Sequence, residues 1–376
     1  MRLIFSYLLF FAVLAHTGLA FAGMDTSAKQ AVMIDYDTGM VLLEKDADAK
    51  MPTSSMSKVM TMYLVFEAIH DGRLKKDDRF AVSEKAWRMG GSKMFVEAGT
   101  KVSIEDLIRG VIVQSGNDAT VVLAEGLAGS ESAFADMLNA KARELGMMNS
   151  HFMNASGWPH KDHYSTAHDM AILAWRMIRD FPDEYHYWSE LEFTYNNIKQ
   201  PNRNPLLFRG IGADGIKTGH TEAGGYGLIG SGILNKRRVI LVVNGLPSEK
   251  ARAQESARLL EWGLRGFENI ALFKAGDDVV VASVILGDGK ETSLTIEKDL
   301  TITLPVTVKN DLKVEAVYEG PLVAPVQKGM KSGVLRVSVP RLDTMEIPLV
   351  AAHDVGEANM FSGTFTKIKI LLGGGA

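Results

Sequence analysis

A change of rhythm near residue 267 constrains this chain more than any other feature. Before it, helical and extended patterns alternate. Residues 31–34 and 40–44 flank the turn-forming run Asp35-Tyr36-Asp37-Thr38-Gly39 and predict a hairpin. Residues 54–70 are apolar nearly all round and stop at Asp71-Gly72, the pattern of a helix buried on every side. Residues 104–109, 119–127, 132–145 and 167–178 read as further helices. The period then falls to two, with strands expected at 215–218, 225–233 and 238–244 and a turn at Asn235-Lys236. A helix follows at 251–264. Strands at both ends with helices between them imply an antiparallel sheet assembled from distant segments. After residue 270 only short Val-, Ile- and Thr-rich runs remain, at 279–286, 292–296, 300–304, 313–318, 334–339 and 344–350, which fit a small β-sandwich. The fold class is therefore α+β, an antiparallel sheet flanked by helices over residues 23–268, followed by an all-β domain over 269–357.

The two ends of the chain read differently. Residues 1–22 carry a single charge, Arg2, then a short apolar run and Ala20-Phe21-Ala22. That is the pattern of a cleaved secretory leader, and the apolar run is short for a bilayer span. Residues 358–376 place Phe361, Phe365, Ile368 and Ile370 beside Lys367 and Lys369 with no acid, as a short amphipathic helix on an anionic membrane surface would. The expected location is thus outside the cytoplasm, on the outer face of an inner membrane. The chain has no cysteine, which removes disulfides, thiolate nucleophiles and thiolate metal sites. Its formal charge of −4 gives no electrostatic reason to bind nucleic acid. His160, His163 and His168 lie near Asp162 and Asp169, but the spacing fits no common zinc site and a polar loop is expected, with no metal or cofactor.

With no thiol, a covalent mechanism needs a hydroxyl and a base to activate it. Ser55-Met56-Ser57-Lys58 supplies both one helical turn apart, on one face. Lysine serves as that base only if its charged form is destabilised by about 4 kcal/mol, bringing its pKa from about 10.4 toward neutrality. Burial and a neighbouring cation do this, and Lys58 sits in a heavily apolar segment. The bland reading is a capping serine with a solvated lysine. Ser115-Gly116-Asn117 follows an apolar run and by itself reads as a polar turn before a helix. Lys217-Thr218-Gly219 lies in an expected strand, followed by His220. Lys331-Ser332-Gly333 has the same form but is expected to be a hairpin turn of the second domain.

In the order S-x-x-K, S-x-N, K-T-G, the three motifs resemble those of the penicillin-recognising serine enzymes, which share a transpeptidase/β-lactamase-like fold. Residues 51–61, Ser92-Lys93-Met94-Phe95, Gln200-Pro201-Asn202-Arg203-Asn204, 214–221 and 355–361 are similar to the low-molecular-mass D-alanyl-D-alanine carboxypeptidases of the type-5 class, over nearly the whole chain. Thr53-Ser54 stand where that family often has Pro-Ala. The resemblance implies removal of the terminal D-alanine from peptidoglycan pentapeptide stems, which limits cross-linking, and covalent inhibition by β-lactams. It makes Ser55 the nucleophile, Lys58 its base and Ser115 the proton relay. Asn117 and Lys217 would hold the network, and Gly219 belongs to the same motif. The backbone N–H groups of Ser55 and His220 would form the oxyanion hole, and Thr218 and Arg203 would bind the substrate carboxylate. Rival readings are a serine β-lactamase, for which Glu192-Phe193-Thr194-Tyr195-Asn196 is a near match to E-x-x-L-N, and a catalytically silent wall-binding scaffold.

Overall fold

A computed structural model describes residues 24–340 and 343–358. The expected leader at 1–22 and the tail from 359 lie outside the described residues. Strands β1 (Gln30–Asp35) and β2 (Val41–Lys45) form the first hairpin. A 3₁₀ turn, Ser54–Ser57, leads into helix α1 (Lys58–His70). Then come β3 (Arg79–Ala81), α2 (Glu84–Arg88), β4 (Lys101–Ser103), α3 (Ile104–Ile112), α4 (Asn117–Ala128), α5 (Glu131–Glu144) and α6 (Ala167–Asp180). A small hairpin of β5 (Glu192–Tyr195) and β6 (Ile198–Pro201) precedes β7 (Ala213–Thr221), β8 (Gly225–Leu234), β9 (Arg237–Leu246) and α7 (Glu249–Arg265).

The main sheet has the order β2-β1-β9-β8-β7, so strands more than 200 residues apart pair antiparallel at its centre, with Val32 opposite Val242. The alternation in β9 explains the layering. Ile240 and Val242 face a core shared with α1 and α3–α6, whereas Val239, Leu241 and Val243 face one shared with α7. Helices therefore cover both faces of the sheet. Helix α1 is buried almost throughout, as its all-round apolar pattern requires. Asn235 and Lys236 both adopt positive φ, +52° and +68°, and close the β8–β9 hairpin.

The second domain begins directly at the end of α7. Its strands are β10 (Phe267–Phe273), β11 (Val280–Ile285), β12 (Glu291–Thr295), β13 (Leu300–Pro305), β14 (Lys313–Tyr318), β15 (Leu322–Val323), β16 (Lys331–Ser338) and β17 (Met345–Ala351). Six of them form a sheet of order β14-β16-β17-β12-β11-β15, and β10 pairs with β13. Lys331-Ser332-Gly333 corrects one expectation: it opens strand β16 and is not a turn. The turn precedes it, where Gly329 takes φ +83° and the Met330 N–H donates to Gln327 O at 3.0 Å.

A polar seam joins the two domains. Arg237, 7% exposed, places Nε 2.7 Å from Oδ2 of the fully buried Asp35, while its N–H points at Asn269 Oδ1, 3.2 Å away. Asn269 Nδ2 donates to Asp35 Oδ1 at 3.1 Å, and Thr303 donates to Asn269 Oδ1 at 2.8 Å. Thr38 and Thr303 share a hydroxyl–hydroxyl bond of 2.5 Å.

Candidate active site

The site forms where the free edge of the main sheet, strand β7, meets the turn before α1. Ser55 is half-buried in that 3₁₀ turn, and the α-helix itself begins at Lys58. Two glycines allow the turn to be this crowded. Gly157 has φ +78°, and a Cβ there would lie 1.8 Å from Ser54 O. A Cβ at Gly219 would lie 2.8 Å from Thr53 O. Only a hydrogen fits at either place, which is why β7 can lie against the nucleophile's turn.

Lys58 is fully buried. Its Nζ lies 2.7 Å from each of Ser55 Oγ, Asn117 Oδ1 and Ser156 O. The Ser156 carbonyl can only accept. Asn117 offers its carbonyl oxygen because its Nδ2 donates to Gly90 O at 2.8 Å. A neutral amine has two N–H bonds and one lone pair. The ammonium donates to all three oxygens; once it is neutral, the two obligate acceptors keep the N–H bonds and the lone pair is left for the Ser55 hydroxyl. Burial pushes the Lys58 pKa down to about 7; Arg203 acts in the same direction and Asp118 opposes it. The base that S-x-x-K requires is thus provided mainly by desolvation.

Ser115 lies in the loop between α3 and α4 with φ +59°, a conformation held by its surroundings. Lys217, also fully buried, donates from Nζ to Ser115 Oγ at 2.9 Å and to Thr218 O at 3.3 Å. Burial lowers its pKa well below the usual lysine value, with Lys58, Arg203 and Arg252 adding to the effect. Lys217 pairs across the hairpin with Ile229 and Thr218 with Leu228, so the two side chains take opposite faces, as alternation requires. Lys217 crosses under the sheet edge to reach Ser115. Asn117 is the first residue of α4 and bonds inward to Lys58; it does not cap the helix. His220 is exposed and stacks on Tyr226 with ring centroids 3.9 Å apart. Arg203 is exposed, near enough to act on both lysines, and accompanied by Arg252, which is 5% exposed.

Several contributors were not singled out from sequence. Asp118, fully buried, accepts the N–H groups of Met94, Phe95 and Val96 at 2.9, 2.8 and 3.2 Å, which ties their loop to the base of Ser115-Gly116-Asn117. Its only sequence signal is an acid in the first turn of a helix, a common feature. Ser156 contributes a main-chain oxygen, which no side-chain pattern announces. His163 was grouped with a polar loop but is 5% exposed. Its Nδ1 accepts from the Met153 N–H at 3.2 Å, so Nε2 carries the proton and donates to Ser57 Oγ at 2.8 Å. Ser57 in turn bonds Thr53 Oγ1 at 2.6 Å, pinning the nucleophile's turn from below. Burial lowers the His163 pKa to about 4, which keeps the ring neutral. His168 pairs instead with Asp48 at 3.3 Å, and His160 stands 3.8 Å from Asp162. Glu192, of the E-x-x-L-N near match, lies in strand β5 and pairs with Lys199 at 2.6 Å across that small hairpin.

Comparison with known proteins follows the same division of the chain. Residues 17–248 match the family model described as D-alanyl-D-alanine carboxypeptidase, and residues 267–357 match the penicillin-binding protein 5 C-terminal domain. The chain is 37% identical over 352 residues to the D-alanyl-D-alanine carboxypeptidase DacA of Escherichia coli, covering 92% of this chain and 87% of that protein. It is similar to the crystal structure of penicillin-binding protein 5 from Haemophilus influenzae, with a TM-score of 0.79, 38% identity and coverage of 89% and 99%. It is also similar to penicillin-binding protein D2 of Listeria monocytogenes, solved in its ampicillin-bound form, with a TM-score of 0.59, 30% identity and coverage of 64% and 98%. The Ser55–Lys58 pair, the second serine and lysine beside it, and the matches to the family model and to DacA together place the chain in the D-alanyl-D-alanine carboxypeptidase family.

Proposed function

We propose that the protein is a serine-type D-Ala-D-Ala carboxypeptidase that removes the terminal D-alanine from peptidoglycan stem peptides. The observation that carries this is the fully buried Lys58, whose Nζ stands 2.7 Å from Ser55 Oγ. Ser55 Oγ attacks the carbonyl between the two D-alanines as its proton passes to Lys58 Nζ. The oxyanion takes hydrogen bonds from the backbone N–H groups of Ser55 and His220. The proton reaches the leaving amine through Ser115 Oγ, which Lys217 holds in place. The C–N bond breaks, D-alanine departs, and an acyl ester remains on Ser55. Water then attacks the ester and the proton returns to Ser55, freeing the shortened peptide. Thr218, Arg203 and the neighbouring Arg252 hold the substrate's terminal carboxylate, for which guanidinium groups are suited by their paired donors. Asn117 orients Lys58. A β-lactam acylates Ser55 by the same attack, but its ring-opened leaving group stays attached and the ester persists.

The leader at 1–22 directs export. The tail at 358–376 attaches the protein to the outer face of the inner membrane, so it works on the periplasmic side. The support for both is their composition. Penicillin labelling followed by tryptic mapping tests the catalytic core. A stoichiometric acyl adduct on the peptide 51–58, with D-alanine released from a pentapeptide, is the expected result. An adduct on another peptide, or rapid turnover of a cephalosporin without a lasting adduct, would overturn it.

A further inference from the structure

A groove of about 650 Å³ opens beside the nucleophile and plays no part in the chemistry above. One end is formed by Ser54, the residue before Ser55, and by Thr221, at the far end of β7. These two meet through a hydrogen bond from Ser54 Oγ to Thr221 Oγ1 at 3.3 Å. The walls are apolar, built from Pro52, Trp158 and Pro159, and Lys50, His160 and Lys161 stand on the rim. Asn154 fixes the Trp158 wall: its Oδ1 accepts the Trp158 N–H and its Nδ2 donates to Trp158 O, both at 2.9 Å. Lys50 Nζ lies 4.2 Å above the Tyr164 ring. Neither Lys50 nor Lys161 has a carboxylate within 4 Å among the described residues.

Direction decides what part of a substrate lies here. The carboxylate end sits at Thr218, Arg203 and Arg252. Thr221 is three residues further along the same strand, about 10 Å away. A peptide extended along the edge of β7 therefore enters the groove with the residues that precede the scissile bond, because one or two residues span about 3–7 Å. We infer that this groove is a subsite for the acyl side of the stem peptide, and that Lys50 and Lys161 there select a substrate bearing a free carboxylate one or two residues before the terminal D-Ala-D-Ala. This rests on the carboxypeptidase reading. The apolar walls take the aliphatic part of that residue, and the two ammonium groups, which have no carboxylate partner among the described residues, take its charge.

The test uses two peptides with the same D-Ala-D-Ala end, identical except for a carboxylate or a carboxamide on the preceding residue. D-Alanine release is measured with the full chain and with a Lys50→Met/Lys161→Met variant, whose altered side chains are both exposed. The wild type should favour the carboxylate peptide by about tenfold in kcat/KM, mainly through KM. The variant should reduce that preference to less than threefold, while its rate of acylation by benzylpenicillin stays at the wild-type value. Release without preference in the wild type, or a preference that survives in the variant, overturns the subsite. No release from either peptide overturns the carboxypeptidase reading instead.

Discussion

At the scale of single residues, the site rests on a lysine whose charged form burial disfavours. Acylation needs the free amine, so kcat/KM should rise as pH increases through about 7, the value to which burial brings Lys58. A rate profile from pH 5 to 9 checks this, and Lys58→Met should lower acylation by about 10²–10⁴-fold with the fold retained. His163 gives a second dependence. Its folded pKa of about 4 lies below the ordinary histidine value of 6.5, so the unfolded chain binds the proton more readily. Stability from this residue is complete above 6.5 and falls as pH drops toward 4, by up to about 3 kcal/mol. Denaturant titrations at pH 7 and 4.5 should show the loss, and His163→Gln should flatten it. Ser55 and Lys58 were legible from the spacing that a hydroxyl and its base require, whereas Ser115, Asn117 and Lys217 were reached only through the resemblance that the three motifs carry in order. Asp118, Ser156 and His163 were not. Their contributions come from burial or from the main chain, which a single sequence does not display.

At the scale of elements, the site depends on how closely β7 lies against the turn that carries Ser55. Gly219→Val puts a side chain where a Cβ already meets Thr53 O at 2.8 Å, so strand and turn must separate. Penicillin acylation should fall by tenfold or more, with a far smaller change in melting temperature, and a stopped-flow acylation assay distinguishes the two. Asp118→Ala acts on the other wall. It leaves the N–H groups of Met94, Phe95 and Val96 without their acceptor, at a cost of about 1–3 kcal/mol for each group that stays buried. Thermal unfolding should show the destabilisation, and proteolysis should cut the 92–96 loop sooner. The longer helices and strands were readable from their periods, since β9 alternates between two cores and α1 is apolar all round, whereas α2, β3, β4, β6 and β10 were not. The 3₁₀ form of residues 54–57 was not readable. It reflects a positive φ at Ser54 and the crowding of Gly157 and Gly219, which are tertiary effects.

At the scale of the whole molecule, the two domains are joined by hydrogen bonds between Asn269 and a buried ion pair of the first domain, as well as through the backbone. Arg237→Met leaves Asp35 buried without its cation and should cost about 3–5 kcal/mol. The double variant Arg237→Met/Asp35→Asn should recover much of that, because it removes both charges while an amide oxygen still accepts the Asp37 and Thr38 N–H groups, and chemical denaturation of the three proteins measures it. The break near residue 267 was visible in sequence as a change of rhythm, but the seam was not, since Asp35 and Arg237 both look like ordinary hairpin residues. The order of the sheet carries one more consequence. β1 closes against β9 across more than 200 residues, and Lys217 meets Ser115 across 102. The Lys58–Asn117 and Lys217–Ser115 contacts that complete the site span 59 and 102 residues, so competence to capture penicillin arises late in folding, when the distant contacts close. A labelled β-lactam added during refolding should therefore count completed molecules, its signal lagging behind the return of helix.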